Sequence, residues 1–407
     1  MSARKPESEM MHYGFNPMDA HGAVKPPIYQ TSTFVFNSAE EGKHFFEGAY
    51  GLREMEEGEE LGYIYSRIDN PNLKVLEQRL ALLEGADDSA VFQSGMAAIS
   101  TALMEFLPQG SVLIASSTLY GGTDHFMRHV LAQYGIDVHF YQANDSAVDV
   151  ITAVNAKGWA GRVSAVYVET PANPTLDIFC LKDAKKIAEH FATEENAVPL
   201  IVDNTYMGPV FCKPMEFGAD LVLYSATKYL GGHSDIVAGV VSGKADLMQR
   251  IRVRRTFYGN MMAPFNSWLL TRSLETLHIR VRHQAATAES LADWIKEQPQ
   301  VQDVLYLKYA GEKNKQYTGY GAMIGIKLHG GEAESFRFLN ALKLIKLAVS
   351  LGGTESLAEH PFFMTHIDVP AEEKAKIGIT ENLVRISVGL EDLEDLKTDI
   401  QAALSAI

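Results

Sequence analysis

Ala219-Asp220-Leu221-Val222-Leu223-Tyr224-Ser225-Ala226-Thr227-Lys228 is an apolar, strand-like run that ends in two hydroxyls and an amine. A lysine just past a buried strand is partly desolvated. Burial disfavours its charged form, lowers its pKa and frees the amine to attack an aldehyde. The hydroxyls of Ser225 and Thr227 suit a phosphate. Together these groups point to covalently held pyridoxal phosphate (PLP), an electron sink for amino-acid carbanions. Taken alone, the segment fits an exposed turn lysine better, and it is the rest of the chain that reverses the balance.

Two more runs share the pattern. Val163-Ser164-Ala165-Val166-Tyr167-Val168 ends in Glu169, and Val198-Pro199-Leu200-Ile201-Val202 ends in Asp203. The interval from Glu169 to Asp203 has room for a crossover helix, read at Leu181 to His190, and the interval to Ser225 holds a shorter connection. Apolar strands with polar residues only at their ends are buried on both faces, which predicts an open, mostly parallel α/β sheet. Ligands bind beyond the carboxyl ends of such strands. Glu169, Asp203, Ser225 and Lys228 all fall there.

The chain divides into three regions. Residues 1–70 are rich in Gly, Pro and aromatics, and suit either an arm that wraps a partner subunit or an irregular terminus. Residues 71–265 alternate apolar runs with amphipathic stretches and form the expected cofactor-binding domain. Residues 266–407 open on one long helical pattern, Trp268 through Ile279. They continue into a smaller α/β domain with strands at Met323–Leu328 and Leu383–Val388.

With 407 residues, 46% hydrophobic, the chain can bury a large core in more than one domain. A net charge of −15, from 36 basic and 51 acidic residues, argues against a nucleic-acid partner. Cys180 and Cys212 are too few for a disulfide framework or a cysteine metal site and fit a reducing compartment. The polar stretch Ser2–Glu7 leads into no apolar signal core. No apolar run approaches the ~20 residues of a membrane helix. The expectation is a soluble cytoplasmic protein with no membrane partner. His125 and His129 have metal-compatible spacing but no surrounding zinc motif, so no metal is expected. Arg252, Arg254 and Arg255 read as an exposed or intersubunit basic face.

Several further residues could serve a PLP site, each with a plainer alternative. Ser94-Gly95-Met96 follows a short apolar run and opens a helix, whose N-terminal N–H groups favour phosphate; an ordinary capped helix looks the same. Asp203 needs a positive partner if buried, and a protonated pyridine nitrogen would be one; a turn aspartate is the alternative. Arg67, in Tyr65-Ser66-Arg67, suits bidentate phosphate binding or simple solvation. Tyr120 could stack on a flat cofactor or pack in its loop. Arg385 lies in an apolar strand and needs an anion there, either a substrate carboxylate or a structural salt-bridge partner.

In combination these motifs resemble the PLP-dependent transsulfuration enzymes of cysteine and methionine metabolism, over nearly the whole chain. This group includes cystathionine γ-synthase, cystathionine β- and γ-lyases, methionine γ-lyase and O-acetylhomoserine sulfhydrylase. The markers are Tyr65-Ser66-Arg67, Ser94-Gly95-Met96, Tyr120-Gly121, Glu169-Thr170-Pro171-Ala172-Asn173-Pro174, Val202-Asp203-Asn204-Thr205, Ser225-Ala226-Thr227-Lys228 and Arg385-Ile386-Ser387-Val388-Gly389-Leu390-Glu391. The resemblance implies the aspartate-aminotransferase-like fold (fold type I). It also implies that Lys228 holds PLP and shuttles protons, and that Asp203 pairs with the ring nitrogen. Gly95, Met96, Ser225 and Thr227 would hold the phosphate, and Tyr120 would stack on the ring as a candidate acid or base. Tyr65 and Arg67 would reach the phosphate of a neighbouring subunit, in a dimer that pairs into a tetramer. Asn173, Ser350 and Arg385 would position the amino-acid substrate, with Arg385 on its α-carboxylate.

Within the family, Ala348-Val349-Ser350-Leu351-Gly352-Gly353 looks most like methionine γ-lyase. Cystathionine γ-synthase and γ-lyase typically carry glutamate at the position of Val349, suited to a distal amino group; valine suits an apolar thioether. Against this, Gly121-Gly122 looks more like cystathionine γ-lyase, and the Lys-Asp pair usual in methionine γ-lyases near Phe257-Tyr258 is absent. The expected activity is γ-elimination from methionine or a similar thioether. Cystathionine γ-synthase or γ-lyase, homoserine-ester sulfhydrylase, an aminotransferase and a catalytically inactive binding protein are the alternatives. Residues 40–62, acidic and with Phe45 and Phe46, are longer than usual and either alter the substrate entrance or form a solvated loop.

Overall fold

The computed structural model describes residues 4–54, 61–367 and 369–407. Seven strands form the larger sheet: β1 Asp88–Phe92, β2 Val112–Ser116, β3 Asp137–Tyr141, β4 Val163–Glu169, β5 Leu200–Asp203, β6 Leu221–Ser225 and β7 Gly239–Gly243, in the order β1-β7-β6-β5-β4-β2-β3. From β3 through β6 all pairings are parallel, and β7 runs antiparallel to both β6 and β1. Every residue of β2 and of β5 is buried, which explains why these strands lack polar alternation.

Helix Leu181–Phe191 makes the crossover from β4 to β5 and buries Leu181, Ala184, Ile187, Ala188 and Phe191, spaced three or four apart, against the sheet. A short helix, Gly208–Phe211, and a 3-10 turn, Pro214–Phe217, fill the tighter connection from β5 to β6. The register sets Glu169 opposite Asp203 and Asp203 opposite Leu223. The polar ends of three strands thereby lie side by side.

A second sheet contains β8 Val301–Leu305, β9 Met323–Leu328, β10 Lys346–Leu347, β11 Leu357–Glu359 and β12 Leu383–Ser387, in the order β10-β11-β12-β9-β8. The long helical pattern beginning near residue 266 is two helices, Pro264–Leu274 and Leu277–Ile295. The chain breaks at Thr276 (φ −112°, ψ 4°) because the first helix packs on helix Pro71–Glu84 and the second on β8 and β9.

The basic cluster is not an exposed face. Arg255 is fully buried against Glu77, Arg252 pairs with Glu77 and Asp88, and Arg254 pairs with Glu105. These carboxylates, distant in sequence, draw the guanidiniums inward.

The first residues lie on their own subunit. Met10 is buried, and the wholly buried Arg79 donates to the carbonyls of Met10 (2.5 Å) and Tyr13 (3.0 Å). Much of residues 28–54 stands exposed. Part of the acidic 40–62 stretch is an ordered helix, Ala39–Ala49, capped by Ser38, whose Phe45 and Phe46 pack on Phe36; residues 55–60 lie outside the described residues.

Candidate active site

The side-by-side ends of β4, β5 and β6 open on a cavity of about 230 Å³. Gly95, Met96, Tyr120, Asn173, Asp203, Ser225, Thr227 and Lys228 all line it, as do Glu169, Thr205, Tyr206, Val237 and Leu351. Lys228 follows β6 in a tight turn, its N–H donating to Ser225 O at 3.1 Å. Burial, aided by the neighbouring Arg385, lowers its pKa from 10.5 to about 8, against an opposing pull from Glu359. The amine is thus easily deprotonated near neutral pH, as a nucleophile requires. Its Nζ donates to Ser350 Oγ at 2.8 Å.

Asp203 is held by Thr205 N–H (3.0 Å) and the Tyr167 hydroxyl (3.2 Å). Burial raises its pKa, as it does that of its cross-strand neighbour Glu169, and among the described residues no cation pairs with either. A buried carboxylate with this deficit accepts a pyridinium N–H readily. On the next segment, Ser94 Oγ caps helix Gly95–Phe106 by accepting from Ala97 N (3.0 Å). The N–H groups of Gly95 and Met96 belong to the first turn and have no intrahelical acceptor. A Cβ on Gly95 would come within 2.8 Å of Ser225 Cβ, so glycine is what lets this turn close on the β6 hydroxyl. An amine of lowered pKa, a buried carboxylate needing a cation, and a glycine-bearing helix start beside two hydroxyls fit PLP.

Arg385, in β12, is buried and bridges the sheets. Nη1 donates to Asn173 Oδ1 (2.9 Å) and pairs with Glu359 Oε1 (2.7 Å), while Nη2 donates to Ser350 O (2.7 Å). Arg385 therefore has the structural ion pair that its place in an apolar strand called for, and it shares Ser350 with the lysine. Ser350 adopts φ 91°, unusual for a side-chain-bearing residue, and presents its hydroxyl to Lys228 and its carbonyl to Arg385. Val349, one residue before, is 55% exposed.

Tyr65 and Arg67 are not in this cavity. Tyr65 is 42% exposed and bridges to Thr33, and Arg67 Nη1 donates to Thr256 O at 2.7 Å. The His125 and His129 rings lie tilted at 48° with centroids 4.6 Å apart, and among the described residues no group of three or more His, Cys, Asp or Glu could hold a metal. Sequence reasoning assigned no site role to Glu169 beyond its strand end, nor any to Glu359. Glu169 carried a signal, as a carboxylate beside Asp203 at the ligand end of the sheet. Glu359 carried none, being one acid in a three-residue strand.

Known proteins resemble the chain over nearly its whole length. The family model for Cys/Met metabolism PLP-dependent enzymes matches residues 7–405. The chain is 41% identical to L-methionine gamma-lyase of Pseudomonas putida, over 97% of this chain and 96% of that enzyme. It is 38% identical to cystathionine gamma-lyase of Bacillus subtilis (strain 168), over 99% of this chain and all of the other. The crystal structure of cystathionine gamma synthase from Xanthomonas oryzae pv. oryzae in complex with cystathionine superposes with a TM-score of 0.87 at 32% identity, covering 100% and 99% of the two chains. With the fold, the cavity and the matched length in agreement, the chain belongs to the PLP-dependent enzymes of cysteine and methionine metabolism.

Proposed function

We propose that the protein removes the γ-substituent of a sulfur-containing amino acid in the manner of a methionine γ-lyase, converting methionine and water to 2-oxobutyrate, ammonia and methanethiol. The observation that carries this reading is the convergence on Ser350 of the Lys228 amine, at its hydroxyl, and the Arg385 guanidinium, at its carbonyl. A substrate held by its carboxylate on Arg385 would present its Cα to the lysine. Bound PLP supplies an aldehyde for the substrate amino group and a ring that withdraws electrons from Cα. Arg385, aimed by Asn173 and Ser350, orients the carboxylate. Lys228 Nζ takes the Cα proton and carries protons between Cα and Cβ. The Tyr120 hydroxyl, half-exposed over the cavity, donates to the departing sulfur, and Asp203 retains the proton on the ring nitrogen.

Val349 supports a thioether substrate, since its isopropyl group has no charge to meet a distal amino group. Relatives named L-methionine gamma-lyase from Pseudomonas putida and Porphyromonas gingivalis, at 41% and 39% identity, support it too. One observation favours the cystathionine reading. A Cβ on Gly122 would lie 2.6 Å from Tyr120 Cε1, so the ring sits in the place a side chain here would take, an arrangement that suits the Gly121-Gly122 pair resembling cystathionine γ-lyase. Purified protein supplied with methionine, cystathionine and O-acetylhomoserine, with and without thiol, separates the readings by product. Inert methionine beside consumed or newly made cystathionine would overturn the assignment.

Tyr65 and Arg67 would complete the phosphate site of a second copy. Their placement outside their own cavity, and the exposed Val253, Phe257 and Phe265, support a dimer, and two dimers would form the tetramer. The working division is an arm over 1–70, a PLP domain over 71–265 and a C-terminal domain over 266–407. Two cysteines outside any disulfide support a cytoplasmic location.

A further inference from the structure

Glu169 is a second carboxylate buried beside Asp203, in register across β4 and β5, and among the described residues no cation pairs with it. Placing two acids this close in a dry site is unfavourable, and one of them suffices for a ring nitrogen. The contacts of Glu169 show what it holds instead. Oε2 accepts from the backbone N–H of Tyr120 at 2.8 Å, and Oε1 accepts from the backbone N–H of Asn173 at 3.2 Å. The Ser116 hydroxyl accepts from the Glu169 N–H at 3.1 Å, which fixes the residue at the strand end. One rigid carboxylate therefore spans two separate loops, one following β2 and one following β4. Each loop carries a side chain of the proposed reaction.

We propose that Glu169 is a positioning residue, whose two oxygens set the Tyr120 ring and the Asn173 amide at a fixed spacing around the cavity. Acceptance from both N–H groups by one buried side chain ties the two loops at a single spacing, and losing either bond would leave a buried N–H unpaired. Asn173 in turn accepts from Arg385, so the same carboxylate governs the aim of the guanidinium. The inference rests on the roles proposed above for Tyr120 and Asn173.

Glu169→Gln tests it. The amide keeps the shape but has one acceptor, so one backbone N–H is left facing an NH2 group. The variant is expected to retain stoichiometric cofactor, to change the visible circular dichroism of the bound cofactor, and to lose about 10- to 100-fold in kcat/KM. Combined with Tyr120→Phe, its loss should be smaller than the product of the two single losses, because both act through one ring. The dichroism needs no turnover, so a wrong substrate assignment would leave that result standing. A wild-type cofactor spectrum with unchanged kcat/KM overturns the proposal, as does a loss that simply multiplies with that of Tyr120→Phe. Should the glutamine variant fail to fold, Glu169→Asp keeps both acceptors but withdraws them by one methylene, and it should show the same altered dichroism. Wild-type behaviour of that variant, or failure of both to fold, would assign the carboxylate to the scaffold alone.

Discussion

Replacing Arg385 with leucine separates what this residue does for the fold from what it does for the substrate. Its guanidinium contacts Glu359 at 2.7 Å, with the two side chains 3% and 0% exposed. Removing one partner of a buried pair costs about 3–5 kcal/mol, because the other charge stays buried without compensation. Glu359 would keep the Thr365 hydroxyl, at 3.3 Å, and a weaker attraction from Lys228. Burial already raises the Glu359 pKa, and Arg385 is the strongest influence holding it down, so the substitution moves it further up. A carboxyl whose pKa is higher folded than unfolded stabilises the protein fully below its unfolded value and loses that contribution as pH rises through the folded one. The deficit of Arg385→Leu relative to wild type should therefore be smallest at acidic pH and grow as pH rises above the ordinary carboxylate range. Adding Glu359→Leu removes the stranded acid and should recover most of the stability at pH 8. It should recover none of the turnover, since the substrate carboxylate still lacks its partner; kcat/KM should stay down by roughly 10²- to 10³-fold. Denaturant unfolding of the cofactor-free proteins at several pH values, with 2-oxobutyrate release from the loaded ones, measures both effects. A double variant as unstable as the single one, or a deficit independent of pH, would refute the reasoning.

Val349→Glu should lower kcat/KM for methionine about tenfold or more and raise the ratio for cystathionine, read from competing-substrate assays. Lys228→Ala and Arg67→Ala should each be nearly inactive. Co-expression should restore about a quarter of wild-type activity, because half of the dimers are mixed and each has one intact site. Glu84, buried and accepting from the Tyr224 hydroxyl, has its pKa pushed up by burial from 4.5 to about 8. Its contribution to stability should fall between those pH values, and thermal melts of Glu84→Gln should lack that part of the decline.

The parallel strands were legible because burial on both faces leaves an unbroken apolar run, with the ligand-binding residue just past its end. Lys228, Asp203 and Ser225 sit where that logic puts them. The antiparallel β7 was not legible. It has glycine at each end because a Cβ on Gly239 would lie 2.1 Å from Ser94 O and one on Gly243 would lie 2.4 Å from Asp220 O, contacts that exist only after folding. The same applies to the Arg252–Arg255 cluster, whose acids lie far away in sequence, and to Glu359, whose partner Arg385 belongs to another strand. Glu169 was visible as a strand end. Its bonds run to backbone groups, which leave no trace in residue type.

The buried Arg79 has a consequence for biosynthesis. It clasps the carbonyls of Met10 and Tyr13 and leans on Glu275, while Glu7 reaches Arg282. During translation this segment leaves the ribosome well before two of its anchors, Glu275 and Arg282, which follow it by more than half of the described residues. Until then Met10 has no finished seat, and the nascent polypeptide carries an unfastened segment that chaperones can grip. Shortening the arm by a dozen residues would take the Met10 carbonyl from the buried guanidinium and leave it on Tyr13 and Glu275 alone, whereas an affinity tag placed ahead of Lys5 leaves the clasp intact.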